Sequence, residues 1–170
     1  MDVVAHWLWT YAIYFKTKYR LLAALFGVLP DIIAFGPFFL YKLLFGSLGK
    51  PALGSIPEYV FIGYNFTHSL VVFLIVFAVI YFITREIPWV IGGWLLHILI
   101  DIPTHTSAFF PTPFLWPISN FTVSVVSWSN LIFMIVNYSL LVIVYTYLFL
   151  FLKKKKQRKT YIPPLRVGKL

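Results

Sequence analysis

The stretch GGWLLHILIDIPTHT, residues 92–106, sets His97, Asp101 and His105 at four-residue spacing inside an otherwise apolar run. Ionisable side chains are costly in hydrocarbon and usually serve a function there. On a helix, residues i and i+4 project from one face. His97 and Asp101 therefore form a pair able to clasp one metal, since imidazole and carboxylate are both zinc ligands. Pro103 interrupts helix geometry before His105, which is expected to approach from a turn. Three more candidates precede the pair: His6 in VVAHWLW, Asp31 directly after Pro30, and His68 in FTHSL.

Positioning six such groups together needs a particular frame. The chain has 170 residues, 61% hydrophobic and 11% charged. A soluble domain of this length carries far more polar surface. The expected class is all-α, a polytopic transmembrane helical bundle of four to five membrane segments. Residues 1–152 are expected to form one transmembrane domain, and residues 153–170 a basic cytoplasmic tail. Aromatics make up 21%, with Trp and Tyr near the ends of apolar runs, as suits rings at headgroup level. With no cysteine, disulfides, thiolate metal sites and thiol nucleophiles are excluded. MDVVAHWLW has no basic n-region, so a removable signal peptide is not expected.

Expected segments are a short apolar stretch 3–15, a long one 21–45 broken at Pro30-Asp31, a loop 46–63, and a helix 66–83 with Thr67 as N-cap. A shorter helix follows over 89–102, then a Pro-, Ser- and Phe-rich region 104–130. The span 131–152 is the cleanest, about twenty apolar residues being enough to cross the hydrocarbon. The net charge of +9 is concentrated in KKKKQRK, residues 153–159. Directly after an apolar run, such a cluster reads as a cytoplasmic anchor on anionic lipid rather than as a nucleic-acid site. With Arg85 and Lys16 to Arg20 it predicts a multi-pass protein of the plasma (inner) membrane with a cytoplasmic C-terminus. Lys42 and Lys50 are singletons near the outer side, where a snorkelling stem or a loop accommodates them.

At 1.5 Å per helical residue, His6 and Asp31 both lie roughly 15 Å above the cytoplasmic edge. His97 comes out at roughly 14 Å, Asp101 at roughly 20 Å and His68 at roughly 24 Å. The four histidines thus share one layer with two of the five acids. Gathered around a divalent cation, expected to be zinc, imidazoles and carboxylates become favourable together. His97, Asp101 and His68 are the first-choice ligands. Asp31 is a ligand or the general base that takes a proton from water, and His6 and His105 complete the shell or act as acid. Ser69 and Thr104 are candidates to orient ligands. Each residue taken alone also has a plain reading, as a histidine hydrogen-bonded across helices, a kink, or a cap.

The segments LPDI (29–32), FTHSL (66–70) and GGWLLHILIDIPTHT…FLWPIS (92–119) resemble the membrane-bound metal-dependent hydrolase family, the YdjM-like inner-membrane hydrolases, over most of the chain up to about residue 120. The order of His, Asp, His, His-x-x-x-Asp and His is also similar, more loosely, to the ligand set of zinc-dependent phospholipase C. The resemblance implies a metal-dependent hydrolase on a multi-helix membrane bundle, with His6, Asp31, His68, His97, Asp101 and His105 as the metal site and Asp31 and His6 as catalytic candidates. Family members often carry an Asp where Ile33 stands here, and a His-Arg pair where Gly63 and Tyr64 stand. Depth in the bilayer points to a lipid-like phosphoester or ester as substrate. Two other classes stay open: a non-catalytic membrane metal-binding or transport module, and a b-type haem protein with histidines on facing helices.

Overall fold

A computed structural model describes residues 1–46 and 53–160. Among these the chain is helical, with no β-strand: α1 (Val3–Ile13), α2 (Arg20–Phe26), α3 (Leu29–Phe45), α4 (Glu58–Thr67), α5 (Leu70–Thr84), α6 (Gly92–Thr104) and α7 (Leu131–Thr160). Single 3₁₀ turns at Leu53–Ser55 and Trp89–Ile91 precede α4 and α6. Lys50, and residues 161–170 of the predicted basic tail, lie outside the described residues.

The bundle is apolar outside and polar within. Leu43, Ile83, Leu131 and Phe149 are exposed, while His6, His68, His97 and Asp101 are fully buried. A water-soluble core has the reverse arrangement. Among the described residues, helix α7 alone is long and apolar enough to cross a membrane, over Leu131–Lys155. Two bent pairs reach that length only when each is taken as one span: α2 with α3, bent by 54°, and α4 with α5, bent by 57°. Helices α1 and α6 are apolar but short.

Both bends lie beside predicted site residues. The first falls at Gly27–Val28, two residues ahead of the expected break, and Pro30 sits in the first turn of α3. A proline is tolerated there because its missing N–H has no helical partner to lose. The second falls at His68–Ser69, inside the segment 66–83 expected to be one helix. Ser69, not Thr67, caps α5, its hydroxyl accepting from Val72 N at 3.2 Å. Thr67 ends α4 and donates instead to the carbonyls of Gly63 (2.9 Å) and Pro30 (3.2 Å). The predicted loop 46–63 gives way to helix from Glu58 onward.

Small residues bring the site-bearing helices close. A Cβ at Gly93 would collide with the Ala23 carbonyl of α2. Only glycine lets α6 cross α2 at that separation. One turn later, His97 of α6 reaches the carbonyl that ends α2. The region 105–130 is irregular and folds back over the end of α6. Val126 N and Trp128 N donate to the carbonyls of Pro103 (3.1 Å) and Thr104 (2.8 Å), pairing groups that a helix C-terminus leaves unmatched. Helix α7 docks on α1 through Trp9 Nε1 to Asn137 Oδ1 (2.8 Å), Tyr138 Oη to Asp2 Oδ1 (2.9 Å) and Tyr145 Oη to the Leu8 carbonyl (2.9 Å).

Candidate metal centre

Asp31, His68, His97 and Asp101 each offer a ligand atom within 4.8 Å of the others, and all four residues are buried. They come from α3, the α4–α5 break and α6. The Nε2 atoms of His68 and His97 lie 2.9 Å apart. Asp101 Oδ2 lies 3.5 Å from the first and 3.3 Å from the second. Asp31 Oδ1 lies 3.5 Å and 3.8 Å from the same two atoms. With bonds of about 2.0–2.2 Å to a tetrahedral zinc, neighbouring ligand atoms stand about 3.3–3.6 Å apart. The measured separations straddle that range, so the group can hold a metal ion.

Hydrogen bonding on the far side of each ring says what the near side offers. A carbonyl oxygen only accepts. His97 Nδ1 therefore donates to the Gly27 carbonyl at 2.8 Å, and His68 Nδ1 to the Tyr64 carbonyl at 3.0 Å. In the neutral rings both Nε2 atoms are then bare lone pairs, and they face each other. Asp101 Oδ2, which they also face, is buried with no hydrogen-bond partner. Two imidazole lone pairs and a carboxylate oxygen converge with nothing positive between them. Fixing the tautomer through the second ring nitrogen is the usual support of a metal-bound histidine.

The remaining two predicted residues surround Asp101 without joining the four. His6 Nε2 donates to Asp101 Oδ1 at 2.9 Å, and its ring stacks on His97 at 3.8 Å between centroids. It holds the carboxylate from behind, and its Nδ1 is buried without a partner. His105, the residue after α6, has Nε2 3.4 Å from Asp101 Oδ2. Its Nδ1 donates to the Phe110 carbonyl at 2.7 Å, and its Nε2 lies 3.1 Å from the Met1 ammonium, which also donates to Asp101 Oδ1.

Other residues complete the frame. Tyr64 stacks on His68 at 3.8 Å, donates to the Phe110 carbonyl at 3.0 Å, and has its hydroxyl 3.0 Å from Thr112 Oγ1. Phe110 adopts a φ of 49°, an unusual conformation for a bulky residue, and its carbonyl is shared by His105 and Tyr64. Tyr64 lies four residues before His68, the spacing that places two side chains on one helix face. That was the available signal for it. The carbonyls of Gly27 and Phe110 carry no sequence signal. Ser69 and Thr104, the candidates for orienting ligands, bond elsewhere: Thr104 to the Ile100 carbonyl at 3.0 Å, and Ser69 to Val72 N and the Trp116 carbonyl.

A cavity of about 620 Å³ adjoins the cluster. Asp31 and His105 line it, with Asp2, Phe35, Phe39 and Trp128 among the others. No family model, no curated protein and no solved structure matches this chain.

Proposed function

We propose that this protein is a multi-pass membrane hydrolase that uses one divalent metal, zinc, to cleave a phosphoester or ester of a lipid-like substrate. The observation that carries the reading is the convergence of the His68 and His97 lone pairs on the unpartnered Asp101 Oδ2. An all-N/O donor set of this kind suits zinc. Held there by His68, His97 and Asp101, zinc would lower the pKa of a coordinated water to about 7 and would polarise the scissile bond.

The chain's own residues divide the remaining work. His68, His97 and Asp101 are the ligands, and His6 fixes the orientation of Asp101. Asp31 borders the cavity, where a carboxylate can take the proton of the attacking water and return it to the departing oxygen. The water oxygen joins the carbonyl carbon or phosphorus as the ester bond breaks. His105 borders the same cavity. The resemblance of LPDI, FTHSL and GGWLLHILIDIPTHT to membrane-bound metal-dependent hydrolases supports the same assignment.

In this reading α2–α3 and α4–α5 are each one bent span, α7 is a third, and the short α1 and α6 complete the bundle. A broken span at membrane depth is tolerated where it lines a cavity, and both breaks here supply site groups. Lys16, Lys18, Arg20, Arg85 and the cluster 153–159 at the C-terminal end of α7 then face the cytoplasm. The test is release of phosphate or fatty acid by purified protein, abolished by chelator and by Asp101→Asn.

One observation favours a second reading, a non-catalytic metal-binding or transport module. Four protein ligands close a tetrahedral zinc shell, whereas catalytic sites keep a position open. If Asp31 is a ligand rather than the base, metal binding without hydrolysis follows, and metal flux into liposomes is the measurement that detects transport.

A further inference from the structure

The cavity beside the cluster is a groove along α3. One end holds Asp31, His105 and Met1, whose ammonium donates to Asp101. Beyond these and Asp2, the lining among the described residues is apolar. From Asp31 to Phe39 the helix rises about 12 Å. The volume of about 620 Å³ is within the usual range for small-ligand sites, about 300–1,000 Å³. Ile32, Gly36 and Phe39 stand at i, i+4 and i+7, on one face of α3. Ile32 and Phe39 are also 47% and 54% exposed on the apolar exterior, and Val3 of α1 is 43% exposed. The same side chains wall the groove and face outward, so it opens sideways, between α1 and α3.

The opening lies at one end of the bundle. Helix α7 runs alongside α1 in the same direction, with Tyr138 on Asp2 and Tyr145 on the Leu8 carbonyl. At the other end Lys16 Nζ stands 5.9 Å from the centre of the Phe151 ring. The cations after α1 and those from Lys153 onward therefore gather away from the groove. Lys42, three residues past Phe39, is a singleton whose stem can snorkel to the surface. Clusters of cations set the cytoplasmic side. We infer that the groove binds an acyl chain of a bilayer lipid, which enters sideways between α1 and α3 from the leaflet opposite the Lys16 and Lys153 ends. In the arrangement proposed above that is the outer leaflet. The groove's lining is continuous with the apolar exterior, so a chain passes from bilayer to groove without exposing hydrocarbon to water. This rests on the membrane arrangement above, and on the hydrolase reading only for the fate of the lipid.

Photolabelling tests the entry. The chain has no cysteine, so Lys153→Cys supplies a sole thiol that marks the cation-bearing end. Protein with this substitution is reconstituted in both orientations in sealed phosphatidylcholine vesicles. Lysophosphatidylcholine with a diazirine on its acyl chain is added from outside and irradiated before it crosses the bilayer. Molecules whose position 153 faces outward are then separated with a membrane-impermeant biotin maleimide, and the labelled residues are mapped by mass spectrometry. The groove walls Phe38 and Ile56 are 5% and 8% exposed, so label there reports a chain inside the groove. Leu131, 72% exposed on α7, reports lipid on the exterior. Gly36 lines the groove, and a Cβ there meets only Ile32 Cγ2 at 3.6 Å, so Gly36→Leu fills the space. The expected result is label on Phe38 and Ile56, about tenfold higher in molecules with position 153 inside and about tenfold lower in Gly36→Leu, where a clash excludes the chain. Gly36→Ala should fall between, and Leu131 should be labelled equally in all three proteins. Unlabelled walls, equal label in both orientations, equal label in Gly36→Leu and Gly36→Ala as in wild type, or labelling of the walls by a water-soluble diazirine without a chain each overturns the inference. A second copy seated in the groove would leave the walls unlabelled. Zinc content is measured on the same samples. Groove labelling without zinc supports the entry and removes the hydrolase reading, whereas zinc without groove labelling overturns the entry and leaves the metal site standing.

Discussion

His68 and His97 present their Nε2 atoms to each other at 2.9 Å while both Nδ1 atoms donate to backbone carbonyls. Two neutral imidazoles cannot hydrogen-bond in that arrangement. Something positive belongs between them, either a metal ion or a proton on one ring. The two occupants make different predictions.

A proton held between the rings must leave when a metal enters. Metal loading of chelator-treated protein should release about one proton per metal ion at neutral pH. Calorimetry in two buffers of different ionisation enthalpy measures this directly. Loading without proton release would mean that no proton is held between the rings in the metal-free protein.

His6 should behave as a support and not as a ligand. Residues that hydrogen-bond a metal's ligands typically contribute 10–100-fold to affinity. His6→Ala should therefore weaken zinc binding by about that factor and leave stoichiometry intact, while His97→Ala abolishes the site. Competition with a chromophoric chelator ranks the two. Equal loss in both variants would make His6 a ligand.

The convergence of the six residues was legible in the sequence for a simple reason. Distance from the flanking cations is a ruler, and helical rise converts it into depth. Asp31, His68, His97 and Asp101 meet, closer than a ruler that set His68 roughly 10 Å above His97. Depth carries no azimuth, and so His6 and His105 could not be told from the four. His6 turns its Nε2–H to the other oxygen of Asp101, and His105 leaves α6 after Pro103, as the proline implied. The helix breaks were less legible. The first was expected at Pro30-Asp31, and no break was expected within 66–83, yet the breaks fall at Gly27–Val28 and His68–Ser69, where contacts from distant segments pair the freed backbone groups. Leu70 N donates to the Phe114 carbonyl at 2.9 Å, and nothing local to FTHSL announces that partner.

The crossing of α6 over α2 should tolerate no side chain at its closest point. Gly93→Ala sets a Cβ against the Ala23 carbonyl. Overpacking of this kind costs about 1–3 kcal/mol, and the shift of α6 should break the bond from His97 to Gly27. Thermal unfolding in detergent and zinc content should both fall. Unchanged values in Gly93→Ala would mean that the helices are farther apart than described.

Helix α7 is docked on α1 by polar contacts, of which the bond from Trp9 to Asn137 includes none of the cluster's residues. Asn137→Leu leaves Trp9 Nε1 without its acceptor. Hydrogen bonds between membrane helices are worth about 0.6 kcal/mol on average, with a maximum of about 1.7. Stability should drop by no more than that, and zinc stoichiometry should not change. Loss of zinc in this variant would implicate α7 in the site.

Elemental analysis of protein purified in mild detergent tests the central claim most directly. Close to one equivalent of zinc in the wild type, absent from His97→Ala and from Asp101→Asn, is the predicted result. A folded wild type that stays free of any divalent metal after incubation with zinc would contradict it.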